Sequence, residues 1–554
     1  MEESSNFIFD IIDEDLRDDP NLKIHTRFPP EPNGYLHIGS AKAIMINFDT
    51  AKKYGGLFNL RYDDTNPTKE DVEYVDSILE DIQWLIGEKP NGGIFYGSDY
   101  FPLCFEYAVK LIKEGKAYVC DLSKEDVIEY KGTDRAEASR VSPYRDRSVE
   151  ENLDLFYRMK NGEFPEGSHT LRAKIDPTSP NTYLRDPIIY RIKYCHHHRQ
   201  GDKWCIYPMY DFAHPIQDAT EGITHSLCSL EFENHRPLYE WVVNNIGFEK
   251  KPKQREFARL NVTNTVMSKR YLRYLVENGI VDGWDDPRLP TIHALRRRGY
   301  TPTSIMTFVR NAGVSKSDNL VDIRMLEACI RDELNETAPR RVCVVNPVKV
   351  VIDNLPKDFE ENFELPNHPQ HPEMGTRSVC FTKELYIDAE DFSEVPPPKF
   401  FRMKPEGEVR LMGAYIVRCN EVEHNEDGSV KVIHCTADLE SGNGNPADGR
   451  KIKGTIHWVS AKYAEDVTVK LYDKLFTLEN MADAETDAEG HALYNNYLNP
   501  DSLITAEHAK AEPSLKNAKV GDRFQFVRTG YFCKDSKYEN TFNRIVSLKD
   551  SFKA

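Results

Sequence analysis

Phe28-Pro-Pro-Glu-Pro-Asn-Gly-Tyr-Leu-His-Ile-Gly-Ser40 is the stretch whose reading decides the fold. It follows a short β-prone run, Lys23 to Phe28. It leads into Ala41 to Lys53, where Ala41, Ile44, Met45 and Phe48 recur at i, i+3, i+4 and i+7, one face of a helix. Strand, Pro/Gly turn and helix together aim backbone N–H groups and the positive end of a helix dipole at a bound phosphate. Gly34 and Gly39 leave room for a ligand beside the backbone. His37, just ahead of the helix, supplies a hydrogen-bond donor for a phosphate oxygen.

Working outward, Leu57 to Tyr62 reads as a second strand that ends in Asp63-Asp64. A helix follows, with Val72, Val75, Ile78, Leu79, Ile82 and Leu85 as its buried stripe. This alternation predicts a parallel sheet of Rossmann type, and carboxylates at the carboxyl end of such a strand sit where α/β sheets bind ligands. From Asp99 to Lys203 the pattern changes to that of an α+β insertion. The parallel fold is expected to resume at Trp204 to Phe212, with a further strand in Gly222 to Leu230 and a helix over Arg236 to Asn245. After Pro339 come many short β-branched runs divided by turns, which predict barrels. The expected domains are thus a poorly patterned lead-in (1–22), a Rossmann-type catalytic domain (23–98 and 204–262), the insertion (99–203), a loop motif with a helical subdomain (263–338) and two β-barrels (339–554).

The 554 residues, 40% apolar and 29% charged, are those of a soluble globular chain with room for several cores. No run of about 18 apolar residues predicts a membrane span, and the acidic start, Met1 to Asp19, lacks the basic n-region of a secretory signal. Eleven scattered cysteines argue against a disulfide framework and for a reducing, cytosolic setting. The net charge of −18 argues against a non-specific polyanion binder but leaves local basic surface open to RNA. Arg296-Arg-Arg298 and Lys250-Lys251 read equally as RNA contacts or solvated faces. Cys195-His-His-His198 with Cys205 offers zinc-competent groups, but at no standard spacing, so no metal site is assigned.

Four separated segments resemble one family. Pro30 to Ser40 resembles the first signature of class I aminoacyl-tRNA synthetases, and Val266-Met-Ser-Lys-Arg270 the second, mobile-loop signature. Asn59-Leu-Arg-Tyr-Asp-Asp-Thr-Asn-Pro67 and Cys205-Ile-Tyr-Pro-Met-Tyr-Asp-Phe212 are similar to segments of the glutaminyl branch, bacterial type. The resemblance implies ATP with Mg²⁺, L-glutamine and tRNA(Gln) as partners, a monomer, an acceptor-stem-binding insertion and anticodon-binding barrels. It implies His37, Ser40 and Lys269 as catalytic groups. The ATP contacts implied are Glu31, Pro32, Asn33, His37, Ile38, Gly39, Ser40, Ala41, Lys42 and Ala43, together with Ser229, Arg259, Leu260, Met267, Ser268 and Lys269. Asp63 and Tyr210 would bind glutamine, the first by its α-amino group and the second by its side-chain amide. Asn234 would contact the acceptor stem, and Lys316, Arg340, Arg402 and Gln525 the anticodon. One position departs from the pattern: Ser40 stands where the family has a second His. It leaves open a catalytically impaired tRNA-binding homologue, beside a glutamyl-specific enzyme or a nucleotidyltransferase of the same fold.

Overall fold

The strand that precedes the signature stretch lies inside a parallel arrangement. In the computed structural model, which describes residues 6–67, 72–132 and 140–548, β1 (His25–Phe28) pairs in parallel with β2 (Leu57–Tyr62), and β2 with β3 (Gly93–Tyr96). Two crossover helices, α2 (Ile38–Lys53) and α3 (Val72–Ile86), connect them. β8 (His225–Ser229) and β9 (Lys253–Phe257) form a second parallel pair, and the Thr224 N–H donates to the His25 carbonyl at the side of β1. The strands are short; β1, β2 and β8 are mostly buried, as parallel strands covered by helices must be, whereas the edge strand β3 is partly exposed.

The lead-in is a helix. α1 (Phe7–Asp18) is capped by Asn6, whose Oδ1 accepts from the Ile8 and Phe9 amides. Its Ile8 and Ile12 pack with Ile24, Ile46, Leu227 and Phe257. The run Asp10-Ile-Ile-Asp-Glu-Asp15 hides this helix because its apolar face is only two residues wide at each turn.

Between β3 and β8 the chain builds a separate four-stranded antiparallel sheet, β4 (Ala117–Cys120), β5 (Thr170–Ala173), β6 (Ile188–Ile192) and β7 (Ile206–Pro208). Its core gathers Phe101, Phe105, Phe156, Tyr190 and Trp204. The stretch expected to resume the parallel fold at Trp204 to Phe212 does something else. β7 pairs with β6, and Tyr210 opens the helix α7 (Tyr210–Thr220). Pro208 lacks the N–H that would carry a strand onward, so the chain turns there into a helix. α8 (Arg236–Ile246) packs against α7.

The chain divides into two compact units, Met1–Asn261 with Val309–Val321, and Val262–Phe308 with Asp322–Ala554. The helical stretch anticipated over 263–338 is therefore shared between them. The second unit contains two seven-stranded, barrel-like sheets. One includes Pro347–Ile352, Glu384–Asp388, Glu408–Leu411, Ile416–His424 and Val430–Asp438, and the other Glu465–Tyr472, Leu503–Ala511, Arg523–Phe526, Gly530–Lys534 and Thr541–Ser547. Among the described residues, no helix is long and apolar enough to cross a membrane.

Candidate active site

His37 starts the helix of the signature stretch three residues earlier than the apolar spacing indicates. It is the cap of α2: its Nδ1 accepts from the Gly39 amide at 3.1 Å, and the His37 amide donates to Ser40 Oγ at 3.4 Å. An amide cannot accept, so Nδ1 holds the lone pair and the proton of the neutral ring sits on Nε2. The Ser40 and Ala41 amides donate to the His37 carbonyl. Three of the first-turn N–H groups expected to meet a phosphate are therefore engaged within the turn, which leaves the imidazole as its main polar device. Ser40 completes the reciprocal cap, the job its residue type favours.

The neighbouring signature residues divide by burial. Pro32, Ile38, Ala41 and Lys42 are buried, Asn33, Gly39 and Ala43 half-buried, and Glu31 is exposed. Asn33 donates to Glu31 through its side chain and its backbone. Burial lowers the Lys42 pKa, against the pull of Asp318.

Asp63 follows β2 at its carboxyl end, and its N–H donates to the Pro30 carbonyl at 2.9 Å, so the two strand ends meet there. The Asp63 carboxyl is buried, which pushes its pKa up to about 6, with the Thr65 hydroxyl donating to it at 2.8 Å and the Glu31 charge adding to the rise. Tyr210, half-buried at the first position of α7, stacks on His214 with ring centroids 4.7 Å apart and contacts Phe232. Burial holds its hydroxyl protonated, and the charges of Arg27 and Asp63 reach it. The two residues assigned to the amino acid are thus close enough for the charge of one to act on the other.

Beside Tyr210, which stacks on its His214, lies a buried cluster the sequence reading missed. Arg27 donates to Asp218 Oδ1 at 3.1 Å, to the Leu227 carbonyl at 2.7 Å, to His214 Nε2 at 2.6 Å and to Ser226 Oγ at 2.5 Å. Arg61 donates to Asp218 at 2.6 Å, lies 3.1 Å from His214 Nδ1, and pairs with Glu221 at 3.2 Å. Tyr239 donates to Asp218 at 2.8 Å. Burial and the two guanidinium groups hold His214 neutral, well below its ordinary pKa, although Asp218 pulls the other way. The signal available beforehand was the i, i+4 pair His214/Asp218 together with one arginine in each of two adjacent strands.

Ser229 ends β8 and donates to Glu231 at 2.7 Å, and Arg259, just past β9, reaches the same carboxylate at 3.2 Å. Glu231 thus gathers two of the assigned ATP contacts, while the Leu260 side chain is buried. Asn234 is exposed in the 3-10 turn Leu230–His235, and its carbonyl accepts from Asn181 of the inserted sheet. Lys316 belongs to the first unit, exposed, with its Nζ 4.8 Å over the Phe7 ring.

Met267, Ser268 and Lys269 lie in the second unit, where Ser268 and Lys269 are exposed and Lys269 begins α9 (Lys269–Glu277). Asn264, at φ 56°, fixes the approach to this motif. Its side-chain amide donates to the Phe476 and Leu478 carbonyls, and its backbone N–H to the Glu479 carbonyl. Val266, Leu272 and Leu275 pack with Leu475, Phe476 and Met481. In the same unit Arg340 and Gln525 are register partners that line one cavity of about 580 Å³ with Asn335 and Arg377. The Arg340 guanidinium donates to the Ala338 and Asn335 carbonyls, and Gln525 donates to the Tyr531 hydroxyl at 2.9 Å. Arg402 borders a different cavity, of about 240 Å³, beside Asp391 and Arg528. Arg297 and Arg298 turn inward, to Asp535 and to the Ile545 carbonyl, and are structural.

The zinc-competent run does not converge. The thiols of Cys195 and Cys205 donate to separate carbonyls, those of Pro67 and Lys160. Asp64, His197 and His198 do gather, but His197 bonds the Asp64 carbonyl through Nε2 and accepts two amides on Nδ1, while Asp64 holds Ser98. These bonds occupy both ring nitrogens of His197 and one acceptor site on each Asp64 oxygen.

Residues 23–336 match the catalytic domain of tRNA synthetases class I (E and Q), and residues 338–438 and 455–535 match anticodon-binding domains of the same group. A glutamine–tRNA ligase of Clostridium perfringens is 55% identical over 100% of this chain and 99% of its own. Those of Clostridium kluyveri and Stutzerimonas stutzeri are 52% and 53% identical, each over 99% of this chain and 98% of theirs. With every region from the first parallel strands to the second barrel-like sheet matched, the chain belongs to the class I tRNA synthetases of the E and Q group.

Proposed function

We propose that this chain ligates L-glutamine to tRNA(Gln), using ATP through a glutaminyl-adenylate and releasing AMP and diphosphate. One observation carries the choice of amino acid. The two buried cations that act on Asp63 and Tyr210, Arg61 and Arg27, are already paired with Asp218 and Glu221. A glutamate side chain would bring a second carboxylate beside two cations that are already committed. The amide of glutamine needs only a hydroxyl that both donates and accepts, which Tyr210 retains.

The parallel strands with α2 are read as a Rossmann-type nucleotide core, with the adenosine along Glu31, Asn33, Ser229 and Arg259. His37 Nε2–H is the donor to the phosphates as the glutamine carboxylate attacks the α-phosphorus. Lys269 is assigned to the departing diphosphate, a task suited to a compact cation on a flexible stem. Mg²⁺ accompanies the triphosphate, bound mainly by phosphate oxygens and water. Glu31 and Asp63 are engaged by Asn33 and Thr65, so neither is assigned to it. The inserted sheet is read as acceptor-stem-binding, and the cavity of Arg340 and Gln525 as taking an unstacked anticodon base. The chain is read as a cytoplasmic monomer.

The deciding experiment is charging of tRNA(Gln) with glutamine against glutamate, by the wild type and by Tyr210→Phe. Glutamine is preferred by the wild type, and Tyr210→Phe loses on the order of 10²-fold of that preference. Equal charging of both acids by the wild type would overturn the reading.

A further inference from the structure

Two cysteines far from the active site meet across an antiparallel strand pair. Cys419, in the strand Ile416–His424, stands directly opposite Cys435, in the strand Val430–Asp438, and both are fully buried in the core of the first barrel-like sheet. The backbone bonds say which kind of pair this is. The N–H and carbonyl of Cys419 bond Gly407 and Glu406 on the side away from Cys435. The Cys435 carbonyl accepts from Asp353, again on its far side. The two residues are therefore a non-hydrogen-bonded pair, the closer of the two kinds, with Cα atoms about 4.5 Å apart. That separation falls inside the roughly 4.4–6.8 Å window a disulfide requires.

The other strand cysteines have no such partner. Cys120 faces Thr170, Cys228 faces Glu256, Cys343 faces Ala511, Cys380 faces Asn362, and Cys533 faces Arg523 and Asn543. Beside the pair, a bulge at Asn420 loosens the ladder, where Asn420 Nδ2 donates to Thr436 Oγ1.

We propose that Cys419 and Cys435 are a dithiol site that peroxide converts to a disulfide across the two strands. Each thiol acts on the other: the neighbouring Cys435 sulfur holds the Cys419 pKa below the ordinary thiol range, and the same interaction pushes that of Cys435 well up. Cys419 is thus the attacking sulfur. Its thiolate displaces hydroxide from hydrogen peroxide, breaking the O–O bond and forming a sulfenic acid. The Cys435 sulfur then attacks that sulfur, the S–O bond breaks, and the departing hydroxide takes the Cys435 proton. Two thiols are oxidised by two electrons, and one peroxide becomes two waters. Both sulfurs are buried, so the reaction is paced by local opening of the strands.

The first measurement uses the unsubstituted chain. The full chain is treated with hydrogen peroxide while folded, alkylated, and mapped by mass spectrometry without reduction. The expected result is a cross-linked peptide joining 419 to 435, about 2 Da lighter than the two thiol peptides and reversed by dithiothreitol. The oxidised protein should also melt a few degrees higher, since the bond closes a loop in the unfolded chain. That rise should vanish in Cys419→Ala and in Cys435→Ala. Alkylation of both residues after half-buried Cys195 and Cys205 have been oxidised, or a sulfinic acid in place of the cross-link, would overturn the proposal.

Discussion

His37 is assigned two duties on its two ring nitrogens: Nδ1 caps the helix, and Nε2–H is the proposed donor to the phosphates. The duties separate by substitution. Aspartate is among the best cap residues and accepts the Gly39 amide as imidazole does. In His37→Asp, stability should stay within about 0.5 kcal/mol, while pyrophosphate exchange in the presence of tRNA falls on the order of 10²–10³-fold. A thermal melt beside the exchange assay checks both. Ser40 is subject to the complementary test. Ser40→His should raise the exchange rate by restoring a cationic donor to the signature. Ser40→Ala should cost about 0.5–1 kcal/mol of stability through the lost cap. An unchanged rate in Ser40→His would show that the serine is no handicap.

Asp63 is the residue at which stability and binding oppose each other. Its pKa, raised by burial to about 6, means that ionising it disfavours the folded state. The sign is that of a raised carboxyl: this destabilisation grows as pH rises from about 4 to about 6 and is constant above. Asp63→Asn should therefore stabilise the ligand-free protein at pH 7, by ~1–3 kcal/mol, while losing glutamine binding. In the wild type, KM for glutamine should climb as pH falls below about 6, because only the carboxylate holds an ammonium. A flat KM between pH 5 and 7 would exclude that role.

At the scale of elements, the loop that carries Lys269 is held from one end. Asn264 adopts the left-handed conformation that asparagine tolerates better than alanine, and its amide ties down the carbonyls of residues 476 and 478. Asn264→Ala removes those bonds and adds backbone strain, an expected loss of ~1–3 kcal/mol. Asn264→Gly should recover the strain alone. Denaturant midpoints of the two variants separate the contributions.

At the scale of the molecule, the buried Arg27, Arg61, Asp218, Glu221 and His214 join β1, β2, α7, β8 and α8. Removing one partner of such a set strands the others. Asp218→Asn should destabilise the fold by about 3–5 kcal/mol, seen as a large drop in melting temperature. The surface charge of the whole chain is a different matter. With a net charge of −18, non-specific attraction to RNA is weak, so the affinity for tRNA should fall only modestly with rising salt. Gln525→Ala should weaken tRNA binding with little change in that slope, since an amide contacts bases and not counter-ions.

The sequence by itself determined the alternating elements of the first unit, the β-rich second half, and the identity of His37, Asp63, Tyr210 and Lys269 as candidate groups. Each of these is written locally, in a 3.6-residue or 2-residue period, in a Pro/Gly turn or in a short motif. Only the tertiary structure decided which side chains meet. It put Asp218 between Arg27 and Arg61, 191 and 157 residues away, and Cys419 opposite Cys435. It turned Arg297 and Arg298 inward and moved β7 into the antiparallel sheet. The reason is physical: burial of a charge and strand register depend on packing between distant segments, and one chain read in order carries no record of that distance.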